Sequence, residues 1–395
     1  MSRLSLFVIP LWVALGACSL AQPGAETASA ASEEPVMVAI LWHQHQPHYL
    51  QDPETGEYTL PWVRMHAIKD YVDMITILDD HPDIHFTVNL TPVLIGQIND
   101  LLAAWDEGRP TDAFVRHTLL DADALTDAER DFIRRNFFSI NWGRILERYP
   151  RYVELRDRRE DPLDTWTAQD FRDLQMLFNL GWMDPDFHDG ATLPDGTVID
   201  VGDWIAQGRD FTEEDKAELI AMHFAILRQV IAVHRAAQDR GQIEVTTTPY
   251  YHPILPLICD TESAREGSPD ITLPGVRFQR PADAALHVRR AVAQYEELFD
   301  RPPSGLWPAE GSVSQAIVPL LADAGLDWFA SDVHVLARSI GVDDPPAAQR
   351  FSMWSVANPG GEPLAAVFRD TGLSDLIGFT YSGRNGTEAA EDFVG

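Results

Sequence analysis

Glu310 is the only ionisable side chain between Arg301 and Asp323, in a chain that carries 61 acidic residues. It stands in Pro303-Ser304-Gly305-Leu306-Trp307-Pro308-Ala309-Glu310-Gly311, with apolar sequence on both sides. Solvated glutamates ordinarily have charged neighbours. A carboxylate among apolar and aromatic residues is where loss of water tunes a pKa for chemistry, so a dry, ring-walled setting is expected here. A helix cap or a buried structural carboxylate is the plainer alternative. A second cluster is His43-Gln44-His45-Gln46-Pro47. Alternation along an extended backbone puts His43 and His45 on one face. The pair suits hydrogen bonds to sugar hydroxyls, two ligands of a metal, or satisfied structural histidines. The metal reading needs a third ligand, for which Asp332 and His252 are available, and no helical metal motif is present.

Two more stretches gather rings and donors. One is Pro61-Trp62-Val63-Arg64-Met65-His66, with Trp62, Arg64 and His66; the other is Thr248-Pro249-Tyr250-Tyr251-His252-Pro253. Aromatic faces, fork-shaped donors and neutral imidazoles are what an uncharged polyhydroxylated ring needs. Either stretch alone is more often a packed loop. Glycosidic cleavage uses two carboxyl groups, one attacking or activating water and one protonating the leaving oxygen. Glu310 beside Trp307 is the nucleophile candidate. Asp332, Asp370 and Asp375 follow later strands and are unranked as its partner.

The elements that position these residues are short apolar, β-rich runs, each ending in a polar group. Val36 to Trp42 leads into His43, Ile84 to Val88 into Asn89, and Ile243 to Thr248 into the Tyr250–His252 stretch. Ser304 to Ala309 leads into Glu310, Asp327 to Ala330 to Asp332, and Ala365 to Phe368 to Arg369 and Asp370. Runs without strict alternation suit strands buried on both faces, and the helical stretches between them make an α/β parallel sheet or barrel. In such folds the loops after the strands share one rim, where sites form. A long helical insertion is expected from about Val93 to Arg240, after the second strand. Its clearest helix starts at Thr212-Glu213-Glu214-Asp215 and stops near Gly241. The segment from Asp184 to Asp203 reads as loop, and a separate helical domain is the alternative for the whole region.

Acidic residues exceed basic ones by 31, which repels phosphate backbones and argues against nucleic acid as a partner. At 395 residues and 45% apolar content the chain can bury a large core. Its 11 Trp are generous for stacking, though most indoles serve cores. Residues 1–18 read as an export signal: Arg3, then an apolar run from Leu4 to Ala17, ending in Leu15-Gly16-Ala17-Cys18. That ending resembles the lipobox of bacterial lipoproteins, in which the cysteine is lipidated, so Cys18 is expected to anchor an exported protein to a membrane. Ordinary cleavage followed by secretion is the alternative. Residues 19–35 read as a flexible tether, and 36–395 as the folded part. With Cys18 acylated, Cys259 has no partner for a disulfide.

Taken together, His43 to Pro47, Glu244 to Pro253 and Gly305 to Glu310 resemble glycoside hydrolase family 57, closest to its α-amylase and amylopullulanase-like members. The resemblance spans Val36 to Gly395. It implies an incomplete, TIM-like (β/α) barrel of the seven-stranded kind, and retaining chemistry on α-glucans without metal or other cofactor. It also implies Glu310 as nucleophile, Trp307 as the neighbouring sugar platform, and His43 and His45 as the substrate-binding pair. Trp62, Arg64, His252 and Asp370 are expected to line the same cleft. The family's acid/base aspartate lies in an Asp-Gly-Glu-Asn-type motif that does not occur in this chain. A fragment lacking its last strand, helical region and proton donor is therefore expected, inactive by itself. Two other readings stay open: a metal-dependent polysaccharide deacetylase, and a non-catalytic glycan-binding lipoprotein.

Overall fold

A computed structural model describes residues 37–395; the signal segment with Cys18 and the tether lie outside the described residues. Nine strands occur among them: β1 Leu41–Gln44, β2 Phe86–Leu90, β3 Ala191–Thr192, β4 Val198–Ile199, β5 Ile243–Thr246, β6 Gly305–Leu306, β7 Trp328–Asp332, β8 Trp354–Val356 and β9 Leu364–Arg369. β1, β2 and β5 pair in parallel, with His43 beside Asn89 and Asn89 beside Thr246. β6, β7 and β9 also pair in parallel, with Asp332 beside Arg369. A parallel bridge from Thr247 to Leu306 joins the two groups. It is closed by Thr247 N–H donating to the Gly305 carbonyl and Trp307 N–H donating to the Thr247 carbonyl, at 3.3 and 3.0 Å. The parallel array thus runs β1-β2-β5-β6-β7-β9, in chain order, and β8 adds antiparallel to β9.

Each expected apolar run overlaps one of these parallel strands. Val88, Leu90, Val245, Leu306 and Ala366 are buried, while Val367 of β9 is exposed, so the central strands are covered more fully than the outer ones. Because the strands are parallel, all six carboxyl ends meet at one rim. His43, Asn89, Thr247, Trp307, Asp332 and Asp370 are found there.

The chain between β2 and β5 is helical, apart from the β3–β4 hairpin inside the stretch expected to be loop. Three of its helices open with reciprocal caps: Thr126 with Glu129, Thr167 with Asp170, and Thr212 with Asp215. Losing such a cap costs about 0.5–2 kcal/mol. The helix read from Thr212 runs Glu213–Asp239, and Gly241 takes φ 74° just after it. Its Leu219, Ile220, Phe224, Leu227 and Val230 are buried in the larger of two cores, and Trp105 stacks on Phe224 at 4.2 Å. Helix Pro281–Phe299 ties the cores together. Its Ala284, Val288 and Val292 enter the smaller one, while Tyr295 and Phe299 enter the larger.

Arg64 is one correction to the sequence reading. It does not face the cleft but is wholly buried. Its guanidinium donates to both carboxylate oxygens of Asp112, at 2.8 and 3.2 Å, and to Asn179 Oδ1 at 3.2 Å. A fourth contact reaches His223 Nδ1 at 2.9 Å. Burial and the adjacent guanidinium hold His223 far below the ordinary imidazole pKa, so its Nδ1 lone pair accepts from Arg64. A buried arginine needs all these acceptors, and each comes from a different helix region. Arg64 is a structural node. Trp62 belongs with it: its ring lies against Phe114 and Trp182, at 6.4 and 5.7 Å between centroids, inside the packed helices.

Candidate active site

Three imidazoles and one carboxylate meet at the carboxyl rim. His43 and His45 come from the end of β1, His252 from the turn after β5, and Glu310 from the turn after β6. Ring centroids of His45 and His252 are 4.1 Å apart, those of His43 and His252 5.1 Å, and those of His43 and His45 5.3 Å. His252 Nδ1 lies 3.7 Å from Glu310 Oε1. The Trp307 ring stands 6.1 Å from that of His43. Of the two sequence candidates for a third imidazole or carboxylate, His252 joins the pair and Asp332 does not.

Local backbone explains the convergence. Glu310 (φ 55°, ψ 24°) and His252 (φ 55°) both adopt the left-handed conformation. Few non-glycine residues do so, and such outliers gather at functional sites because surrounding structure must hold them. The Pro308 carbonyl accepts from Gly311 N–H, and the Gly311 carbonyl accepts from Ser331 Oγ at 2.6 Å, which pins the Glu310 turn to β7. Trp307 is pinned to β5 by Thr248 Oγ1, which donates to its carbonyl at 2.6 Å. Gly305 is required for β6 to lie beside β7: a Cβ there would stand 2.1 Å from the Trp328 ring.

This arrangement overturns the dry setting expected for Glu310. Leu306, Pro308, Ala309 and Gly311 are buried, yet the Glu310 side chain is 69% exposed. The left-handed turn sends apolar neighbours inward and the carboxylate outward. Its company is imidazole on one side and water on the other.

Asn89 orders the histidines, a role sequence reading did not assign although it marked the residue as a strand end. Its amide nitrogen donates to Thr246 Oγ1 at 3.1 Å and to the Thr247 carbonyl at 2.6 Å. A carbonyl only accepts, so the Asn89 oxygen must be the atom 2.7 Å from His43 Nδ1. His43 therefore carries its proton on Nδ1 and turns an Nε2 lone pair outward. Burial, then repulsion by the other two imidazoles, brings His252 down to about 3. Burial also lowers His45, opposed by the charge of Glu310. Although His43 as a residue is exposed, the packing around its ring outweighs the Asn89 bond and lowers its pKa too. Burial is the chief cause for each ring, and it pushes all three toward the uncharged form.

The other sequence candidates have structural work. Asp332 caps the following helix through His334 N–H and accepts from Arg369 and Thr371, each at 2.9 Å. Asp370 caps Thr371–Asp375 through Leu373 N–H, and Asp375 lies 3.9 Å from Arg369. No hydrogen bond or ion pair joins Asp370 to the histidines among the described residues. A concavity of about 460 Å³ exists elsewhere, lined by Asp323, Leu326, Asp327 and Pro363 at the opposite rim, and bears none of these groups.

A parallel α/β array with a carboxylate and donor-acceptor rings at its carboxyl rim is a scaffold on which enzyme sites are commonly built. The chain belongs to glycosyl hydrolase family 57, whose model matches residues 39–395 and whose fold is a (β/α)7 barrel. It is also similar to solved structures. One is an alpha-amylase from Thermotoga maritima, with TM-score 0.42 and 17% identity, covering 86% of this chain and 46% of that one. Others are a branching enzyme from Pyrococcus horikoshii (0.41, 13%, 84% and 47%) and a 4-alpha-glucanotransferase from Thermococcus litoralis (0.41, 14%, 90% and 30%). The chain spans less than half the length of each of these structures. No curated protein matches the sequence.

Proposed function

We propose that this chain carries the nucleophile of a retaining glycosidase or transglycosylase acting on α-glucans, with Glu310 in that role. The observation that carries the reading is the Glu310 carboxylate at 3.7 Å from His252, on a left-handed turn beside Trp307. In a retaining displacement the carboxylate attacks the anomeric carbon while the glycosidic bond breaks and its oxygen takes a proton. A covalent glycosyl-enzyme forms, and water or a sugar hydroxyl then releases it. Trp307 offers an apolar face to a sugar ring. His43 Nε2, unprotonated, accepts from a sugar hydroxyl, while His45 and His252 add neutral donors or acceptors. Seating a sugar there displaces water from Glu310, so the exposed carboxylate becomes dry only on binding. Asp332, Asp370 and Asp375 are occupied structurally, and none is assigned as proton donor.

On this reading the six parallel strands belong to an incomplete (β/α)7 barrel, and the helices between β2 and β5 are an insertion in it. The lipobox-like Cys18 makes the protein an exported, membrane-tethered one. In the full-length protein, Glu310→Ala is expected to lower turnover of soluble starch by about 10³-fold or more, with unchanged far-UV circular dichroism. Trp307→Ala is expected to weaken malto-oligosaccharide binding about tenfold, the loss of one stacking contact. Starch turnover surviving Glu310→Ala sinks the assignment.

A further inference from the structure

We propose that His43, His45 and His252 form a binding site for a single divalent transition-metal ion of the zinc type. One nitrogen from each ring lies within 4.8 Å of the other two. An equilateral set at that spacing stands about 2.8 Å from its centre, and Zn–N bonds are about 2.0–2.1 Å, so each ring closes in by about 0.7 Å. That is a side-chain rotation, and no hydrogen bond restrains the His45 ring among the described residues.

Two observations besides the spacing point to a cation. His252 Nε2 is buried without a hydrogen-bond partner, in a side chain only 7% exposed. An orphaned imidazole nitrogen is costly unless something occupies its lone pair or proton. His43 already has the arrangement of a metal-bound histidine. Its Nδ1–H is donated to the Asn89 oxygen, and Asn89 is itself anchored by Thr246 and Thr247, which leaves Nε2 aimed out. Three nitrogens, with the Glu310 carboxylate at the edge of the cluster, suit zinc, copper or nickel rather than magnesium or calcium. An ion so placed occupies the imidazole nitrogens close to Glu310 and blocks a sugar from reaching them. The blocking rests on the α-glucan reading; the binding does not.

The test uses the chain freed of purification tags and stripped with chelator. Zinc chloride is titrated calorimetrically, and Co²⁺ is followed by its visible absorption. One ion per chain is expected, with tetrahedral-type cobalt bands. His45→Ala removes a ring with no described hydrogen bond and is expected to weaken binding at least about 100-fold. Asn89→Leu is expected to weaken it about 10–100-fold through His43 orientation. No binding at about 1 mM zinc, or equal binding by His45→Ala with its fold intact, overturns the site. In the full-length protein, stoichiometric zinc is expected to suppress starch turnover. Undiminished turnover on the loaded protein overturns the blocking. Absence of turnover with and without zinc counts against the α-glucan reading and leaves the titration result standing.

Discussion

The backbone at Glu310 invites a perturbation that separates strain from chemistry. At φ 55° and ψ 24° a residue with a Cβ sits in the left-handed region, which costs roughly 1–2 kcal/mol. The side chain is 69% exposed, so trimming it removes little buried surface. Glu310→Ala keeps the Cβ and the strain. Glu310→Gly removes the strain but gains unfolded-chain entropy, roughly 0.5–1 kcal/mol against it. The difference leaves glycine the more stable variant by about 0.5–1 kcal/mol, the reverse of the usual order at a right-handed position. Unfolding entropy near 2.1 cal/mol/K per residue, over 395 residues, gives about 0.8 kcal/mol per degree. Scanning calorimetry is therefore expected to place Glu310→Gly about 1 °C above Glu310→Ala, with both variants inactive on starch. Equal melting temperatures, or alanine above glycine, refute the strained turn and the inference that the fold holds this carboxylate in place.

Two further outcomes concern the buried polar groups. Arg64→Leu strands the Asp112 charge, whose side chain is 1% exposed, and is expected to cost about 3–5 kcal/mol in urea unfolding. Sugar affinity of the folded fraction stays unchanged; an affinity loss without a stability loss returns Arg64 to the cleft. His234 is fully buried, with Nδ1 on the Val230 carbonyl at 2.7 Å, and burial lowers it from 6.5 to about 4. Below pH 6.5 the unfolded chain takes this proton and the folded one does not. Stability is therefore lost between about pH 6.5 and 4, by up to roughly 1.4 kcal/mol per pH unit. Replacing His234 with Leu is expected to remove that slope from urea midpoints taken at pH 7, 6 and 5, and an unaltered slope contradicts the assignment.

Much of the scaffold was legible because its central strands, β2, β5, β6 and β7, are mostly buried. Runs such as Ile84 to Val88, leading into Asn89, and Ala365 to Phe368, leading into Arg369, then read as β-rich apolar stretches ending in polar groups. The cap at Thr212 was legible for a similar reason: it is a local pattern with a local cause. Arg64 was misread because a fork-shaped cation beside Trp62 looks the same whether its acceptors are sugar hydroxyls or Asp112, Asn179 and His223. Those acceptors lie 48 to 159 residues away along the chain. Glu310 was placed at the correct rim but in the wrong medium. Its apolar neighbours said nothing of a left-handed turn that points one side chain against the rest. The meeting of His252 with His43 and His45 depends on a second such turn, and on the bridge between Thr247 and Leu306. Neither has a signature in residue type.

Mass spectrometry of a trapped intermediate bears most directly on the chemistry assigned to the rim. The full-length protein is incubated with a slow fluorinated α-glucosyl donor and then digested. A single glycosyl adduct is expected on the peptide containing Glu310, absent after Glu310→Ala. An adduct on a different carboxylate, or turnover of the donor with no adduct at any time, contradicts it.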